Sequence, residues 1–207
     1  MVIAIDLDPA VVAQTFGLIL PVELPDKTFV AALVLAARYR PWPVWLGVGA
    51  AFFVQTVVAV TAGHFATLLP QWALLTITMA IFSIGAIVLV RTASGAAEEE
   101  REQETEYAGR ADVARTGWRA AGASFLVLFA AEWGDLSQLL TISQVARTGE
   151  TVSVFIGAWA ALLVISGLAV FVGRVLLRYL RLSVLHYIGA SVCALFAVLS
   201  LVELIRL

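Results

Sequence analysis

Six mostly apolar stretches, each about as long as a membrane is thick, follow one another along this 207-residue chain. A helix needs about 20 such residues to cross a bilayer. Hydrophobic residues make up 61% of the chain and charged residues 14%, against roughly 45–50% and about 25% in soluble domains. The sequence therefore predicts an all-α integral membrane protein embedded in the lipid bilayer, with no basic patch typical of nucleic-acid binding. The predicted transmembrane helices are residues 10–37, 44–69, 72–90, 119–146, 152–175 and 184–205.

An acidic segment, residues 91–118, divides the six stretches into two sets of three. It predicts three parts: residues 1–90, the linker 91–118, and residues 119–207. The linker and the other short loops on its side hold ten Lys and Arg residues, whereas the opposite side holds only Arg147 and Arg206. Because cytoplasmic loops carry the excess of Lys and Arg, we expect a multi-pass protein of the cell (inner) membrane. The linker would lie in the cytoplasm and both termini outside.

Two apolar stretches contain charged motifs of the same form, ELPDKT at 23–28 and EWGDLSQ at 132–138, offset by 109 positions. TVVAVTAG (56–63) and SGLAVFVG (166–173) share Ala-Val and a glycine at an offset of 110. Matches in register indicate an internal repeat. Because each half has three crossings, the second half must begin on the opposite face of the membrane. The sequence thus predicts two inverted three-helix repeats, an architecture of secondary transporters with the site at the midplane between repeats.

The acidic residues of these motifs predict a divalent-cation site. Glu and Asp at i and i+3 share one helix face, so the two motifs would bring Glu23, Asp26, Glu132 and Asp135 together. Each charge costs roughly 2.5–3.5 kcal/mol at the bilayer centre, and the surplus of negative charge favours a bound cation. Oxygen ligands suit Mn²⁺, Ca²⁺ and Mg²⁺. The residues predicted to support the site or line the ion path are Lys27, Thr28, Gln55, Thr56, Ser137, Gln138 and Ser166.

Some of these polar residues have a second interpretation. Gln55, Thr56 and Ser166 also suit hydrogen bonds between helices, a common use of such side chains in bilayers. Gln14, Ser143 and Gln144 are interpreted as polar residues near the membrane interface.

The same acids predict coupling to protons. Neighbouring carboxylates at low dielectric cannot all stay ionised without a metal, and they titrate as a coupled set. A divalent cation would therefore displace protons, and protons would displace the cation.

At these motifs the chain resembles uncharacterised protein family 0016, the Golgi and bacterial Mn²⁺/Ca²⁺:H⁺ antiporters. Its signatures are Glu-x-Gly-Asp-Lys/Arg-Ser/Thr and Glu-Trp-Gly-Asp-Arg-Ser-Gln. The resemblance implies a cation/proton antiporter, with the four acids as ligands and no resident cofactor. Two positions depart from the family pattern: Pro25 replaces a glycine, and Leu136 replaces a basic residue. The matching residues are Glu23, Asp26, Lys27, Thr28, Glu132, Trp133, Gly134, Asp135, Ser137 and Gln138.

Other functions compete with export of Mn²⁺ or Ca²⁺ against protons. A passive channel would use the carboxylates as a selectivity ring. An exporter of small organic solutes is favoured by resemblance to other six-helix exporters but not by the acid-rich site. An intramembrane enzyme is not expected, because no nucleophile, cofactor or metalloprotease motif accompanies the carboxylates.

Prolines predict a break in the first apolar stretch. Pro25 and Pro21 have no N–H, so the carbonyls of Pro21 and Gly17 lose their helical partners, and we expect them to line the site. Gly134 only permits a bend in the fourth stretch. The first helix is therefore predicted to be the more broken of the two.

Overall fold

The computed structural model describes residues 7–24, 27–93, 95, 102, 105–106, 117–172 and 182–207, and every element in these ranges is helical. This confirms the all-α prediction. The principal helices are α1 (Pro9–Glu23), α2 (Lys27–Arg38), α3 (Pro41–Ala66), α4 (Gln71–Ala93), α5 (Trp118–Ala131), α6 (Leu136–Thr148), α7 (Thr151–Gly167), which continues as a π-helix (Leu168–Val172), and α8 (Leu182–Ile205).

Four of the described helices are long and apolar enough to cross a membrane: α3, α4, α7 with its π-helix, and the His186–Ile205 part of α8. A fifth span is present if α5 and α6, which are bent by 73° at a short break, count as one. The predicted first span is divided as the prolines suggest, into the 15-residue α1 and the 12-residue α2. The chain is therefore a membrane protein with several apolar helices.

The helices form a central group and a peripheral pair. In α3 and α7, 56% and 50% of the most apolar stretch is buried, against 28% in both α4 and α8. The two peripheral helices pack on each other, and their exposed side chains include Ile84 and Leu195. Apolar exposure of this kind suits contact with lipid, since lipid tails are as apolar as leucine. The peripheral pair thus shields one side of the central group.

Two glycines allow helices of the central group to pack backbone against backbone. A Cβ on Gly157 of α7 would lie 2.6 Å from the Val12 carbonyl oxygen of α1, and a Cβ on Gly47 of α3 would clash with the Ala121 carbonyl oxygen of α5. A larger residue at either position would push the two helices apart. The two contacts match across the sequence, because Gly157 follows Gly47 by 110 positions and Ala121 follows Val12 by 109.

Contacts at the helix termini fix which end of the molecule each helix starts from. The Asp8 backbone N–H donates to Ser153 Oγ at 3.0 Å, so α1 and α7 start at the same end, here called the Asp8 end. Trp42 at the start of α3 contacts Phe171 of the π-helix, with ring centroids 5.1 Å apart. The start of α3 therefore lies at the opposite end, here called the Trp42 end. Since Gly47 contacts Ala121, α5 also starts there.

Candidate cation site

The second motif forms a complete break between α5 and α6. The α5 helix ends at Ala131, Glu132 follows as its C-cap, and α6 starts at Leu136. Gly134 has φ +80°, which L side chains rarely adopt. The Asp135 carboxylate then caps α6 by accepting from the Gln138 backbone N–H at 2.8 Å. A glycine and a helix cap together therefore interrupt a helix that glycine alone was expected only to bend.

Ser137 and Gln138 hold this break in shape. Gln138 Nε2 donates to the Glu132 carbonyl oxygen at 2.8 Å, and its Oε1 accepts from the Gly134 backbone N–H at 3.3 Å. Ser137 Oγ donates to Asp135 Oδ2 at 3.1 Å. Both residues were predicted to support the site, and these bonds fix the backbone and side chains around Glu132 and Asp135.

Three of the four predicted acids meet in the structure. Glu23, the last residue of α1, lies beside Glu132 and Asp135, and each offers a carboxylate oxygen within 4.8 Å of the other two. Glu23 is 0% exposed and Glu132 1%, while Asp135 is half-buried. The fourth acid, Asp26, lies outside the described residues.

Among the remaining predicted residues, Gln55 is hydrogen-bonded to the helix that leads to Glu132. Gln55 Nε2 donates to the Phe129 carbonyl oxygen at 3.2 Å and so pairs a carbonyl in the last turn of α5. Thr56 Oγ1 donates to the Phe52 carbonyl at 2.7 Å, and Ser166 Oγ to the Leu163 carbonyl at 3.1 Å. These two hydroxyls therefore bond within their own helices. Lys27 and Thr28 belong to α2, and their side chains are outside the described part of the structure.

The Pro21 carbonyl, which was expected to line the site, lies at a helix contact. Leu24 N–H donates to the Leu20 carbonyl at 3.1 Å, and Pro25 has no N–H to offer the next carbonyl. A Cβ on Gly189 would lie 2.9 Å from the Pro21 oxygen. The end of α1 therefore packs closely on α8 through the carbonyl that the proline leaves unpaired in the helix.

Buried polar residues on α6 extend beyond the predicted set. Gln144 is 0% exposed and Ser143 3%, so both side chains are buried inside the protein, and their position near the membrane interface stays a prediction. Ser137, Thr141 and Gln144 are all buried, and their spacing of four and three residues places them on one helix face. This periodicity was a usable sequence signal. It extends beyond the motif, which ends at Gln138.

The electrostatics of the group favour a cation. Glu23 and Glu132 lie at the C-terminal ends of α1 and α5, where helix dipoles add partial negative charge. Asp135 lies at the N-terminus of α6, where the dipole stabilises an ionised carboxylate. Three carboxylates at this separation match the oxygen ligands that hard divalent ions prefer.

Comparisons with known proteins identify the family. The family model described as "Divalent cation/proton antiporter GDT1" matches residues 11–97 and 120–206. A GDT1-like protein of Synechocystis is 32% identical, with 91% of this chain and 96% of the relative covered. "GDT1-like protein 1, chloroplastic" of Oryza sativa subsp. indica is 30% identical, with 94% and 62% covered. "Protein PAM71, chloroplastic" of Arabidopsis thaliana is 28% identical, with 93% and 57% covered.

The chain thus spans about three fifths of the length of these two plant relatives and nearly the whole of the cyanobacterial one. No solved structure matches it. The family model covers most of the sequence in two segments, and the chain therefore belongs to the GDT1 family of divalent cation/proton antiporters, which are transmembrane cation transporters.

Proposed function

We propose that this protein is a secondary transporter that exchanges Mn²⁺ or Ca²⁺ for protons and exports the cation from the cytoplasm across the cell membrane. The observation that carries the proposal is the meeting of Glu23, Glu132 and Asp135 within 4.8 Å. Asp26, three residues after Glu23 in the same motif, is proposed as the fourth acidic ligand. Ser137 and Gln138 position the acids, while Lys27, Thr28, Gln55, Thr56 and Ser166 are proposed to support the site or the ion path.

The spacing of the carboxylates supports a divalent cargo. Ligand oxygens on opposite sides of Ca²⁺ lie about 4.6–5.2 Å apart, since each Ca–O distance is about 2.3–2.6 Å. The three carboxylate oxygens all lie within 4.8 Å of one another, so no pair is farther apart than the width of a Ca²⁺ coordination shell. A smaller ion requires only a small inward movement of the same side chains.

Burial of the acids supports exchange for protons. Glu23 and Glu132 are almost fully buried, and crowded carboxylates at low dielectric cannot all remain ionised once the cation leaves. Protons take its place, and the next cation displaces them. The two cargoes thus compete for the same oxygens, which is the requirement for obligatory exchange.

Several observations support six crossings arranged as two inverted repeats, residues 1–90 and 119–207, joined by the linker 91–118. The two family matches begin 109 residues apart and end 109 residues apart. The contact between α7 and α1 and the contact between α3 and α5 use matching residues: Gly157 follows Gly47 by 110 positions, and Ala121 follows Val12 by 109. The α1 helix starts at the Asp8 end and α5 at the Trp42 end, so the two halves begin at opposite ends. Rocking of one repeat against the other would then expose the acids to each side in turn.

Purified protein in liposomes containing a pH-sensitive dye tests this function. Mn²⁺, Ca²⁺, Mg²⁺ and Zn²⁺ are added outside in turn, and cation uptake is measured beside proton release from the lumen. We expect saturable uptake of Mn²⁺ or Ca²⁺ with matching proton release. A Glu150→Gln variant, which removes a carboxylate from the loop before α7, is the control and should behave like the parent.

A channel gives a different result in the same liposomes. Uptake would continue without proton movement, and a proton gradient of either sign would not drive the cation uphill. That outcome would replace the antiporter by a passive cation pathway.

A further inference from the structure

A polar cavity of about 380 Å³ opens at the Asp8 end, between α1, α4, α6 and α8. Three of the residues around it are glutamines, Gln14, Gln71 and Gln144, and an arginine and a glutamate complete its charged part. The cavity and the acids lie along the same two helices, α1 and α6. Gln14 precedes Glu23 by nine residues on α1, and Gln144 follows Asp135 by nine residues on α6. Because a helix rises about 1.5 Å per residue, the acids lie about 13 Å deeper along both helices.

Gln144 is the most unusual residue of this cavity. Its side chain is 0% exposed, and neither its amide oxygen nor its nitrogen hydrogen-bonds any residue that the structure describes. Buried polar atoms almost always have partners. Leu35 lies 109 positions earlier, which is the matching position of the proposed first repeat, and it is also buried. Helix packing at this position therefore does not require an amide. The second half of the chain thus keeps a carboxamide where the first half has a hydrocarbon side chain.

A polar face joins Gln144 to the acids. Thr141 lies between Gln144 and Ser137 on α6, and Ser137 Oγ donates to Asp135 Oδ2 at 3.1 Å. Thr141 Oγ1 donates to the Ser137 carbonyl at 2.8 Å, so both hydroxyl oxygens keep lone pairs that accept water or an ion. These oxygens form a series from the cavity to Asp135 along one side of α6.

The charge of the cavity is balanced by one ion pair. Arg147 Nη2 lies 3.0 and 3.1 Å from the two carboxylate oxygens of Glu203, and Arg147 Nη1 donates to Ser200 Oγ at 3.1 Å. Paired, the two residues add no net charge. Removing either one would leave an uncompensated charge beside the opening.

We propose that this cavity is the vestibule through which the divalent cation passes between solution and the acids, with the Gln144 carboxamide oxygen as its transient ligand. The inference rests on the proposed function. An amide oxygen binds Ca²⁺-like ions through its carbonyl dipole and holds them more weakly than a carboxylate. Gln144 thus replaces part of the hydration shell without trapping the ion.

Transport kinetics test the role of Gln144. Gln144→Leu copies the side chain of Leu35, and Ser143→Ala on the neighbouring buried residue is the control. With Mn²⁺ offered to each membrane face in turn, we expect Gln144→Leu to raise the KM about tenfold on the Asp8 face only. Equilibrium binding of Mn²⁺ should change less than the KM. An unchanged KM, or an equal increase on both faces, would overturn the inference.

The ion pair offers a test in which the two expected effects have opposite signs. Glu203→Gln leaves the Arg147 cation near the opening and should raise the KM for Mn²⁺, whereas Arg147→Gln leaves the Glu203 carboxylate and should lower it. Both effects should shrink at high ionic strength, because salt screens exposed charges. If both variants change the KM in the same direction, the pair only stabilises the fold and the vestibule assignment is wrong.

A labelling experiment tests the vestibule without requiring transport. Cys193, the only cysteine, is first replaced by alanine, and Gln144→Cys is compared with Ser143→Cys. A membrane-impermeant, cationic methanethiosulfonate should modify Gln144→Cys at least about tenfold faster, with Mn²⁺ slowing the reaction. Equal rates contradict the vestibule. If labelling behaves as expected but the parent exchanges no cation for protons, the proposed function fails and the water-accessible cavity stands.

Discussion

The two helix breaks carry the same acids but are built from different residues. In the first half, α1 ends at Glu23 and α2 starts at Lys27, with Pro21 inside α1 and Pro25 between the two helices. In the second half, α5 ends just before Glu132, and Gly134 turns the chain with φ +80°. In the first half, prolines lack the N–H groups that a continuous helix needs. In the second half, the positive φ of Gly134 and the Asp135 cap interrupt the helix.

The outcome is similar although the local chemistry differs. Glu23 and Glu132 both lie at the end of a half-helix and are 0% and 1% exposed, and their carboxylates approach each other. The residue that starts the following helix is not the same in the two halves. Lys27 starts α2, whereas the matching Leu136 starts α6 and contacts Gly85 of α4. The placement of the two glutamates is therefore shared by the halves, and only the first half has a basic residue at the start of the following helix.

Neutralising the acids should have the largest effect and should be equal in the two halves. Glu23→Gln, Asp26→Asn, Glu132→Gln and Asp135→Asn each remove one charged ligand, and losing about 3 kcal/mol of such an interaction slows exchange about 100-fold or more. Cation-dependent proton release in liposomes measures this, with Glu150→Gln as the control. If two of the four variants transport like the parent, the acids do not form one site.

Gly134→Ala tests how the second break is held. A Cβ at φ +80° costs about 1–2 kcal/mol, so we expect lower thermal stability and roughly tenfold weaker Mn²⁺ binding. Gly122→Ala is the matched control within α5, where a Cβ meets nothing within 4 Å and alanine favours the helix. If both variants bind Mn²⁺ equally well, the positive φ is not what positions Glu132 and Asp135.

Pro25→Ala examines the first break in the same way. Alanine restores an N–H that can pair with the Pro21 carbonyl and extend α1 beyond Glu23. That carbonyl now lies against Gly189 of α8, so we expect a smaller effect, about fivefold weaker Mn²⁺ binding. Pro25→Gly, which returns the glycine of the family signature, should be milder. Binding equal to the parent in Pro25→Ala would make the proline a tolerated kink.

The sequence was enough to predict the features that the bilayer imposes. Long apolar stretches and acids within them follow from the cost of exposing polar groups to lipid, so the helical class and the acidic cluster were accessible. The complete break at Gly134 was not, because it depends on a glycine φ angle, the Asp135 cap and the Gln138 bonds acting together. The burial of Gln144 was also missed, because it depends on how α1, α4 and α8 surround α6.

Lys27→Met should have the smallest effect and tests the asymmetry of charge between the halves. An ammonium group has no acceptor and cannot be a ligand, but its positive charge favours the ionised form of nearby carboxylates. Without it, we expect the carboxylates to stay protonated up to a higher pH, so the rising part of the exchange–pH profile shifts to higher pH. Above that range, Mn²⁺ binding should strengthen about threefold, because a like charge is gone. Mn²⁺-dependent proton release across a pH series measures both effects.

The reciprocal change is Leu136→Lys, which introduces the basic residue of the family signature into the second motif. This variant should shift the exchange–pH profile to lower pH and weaken Mn²⁺ binding. Leu136→Met is the control for the lost packing against Gly85. Opposite shifts in Lys27→Met and Leu136→Lys would mean that the cation near the acids tunes proton competition from either half. If Lys27→Met instead abolishes exchange in a folded protein, the lysine is obligatory and the halves differ in mechanism as well as in charge.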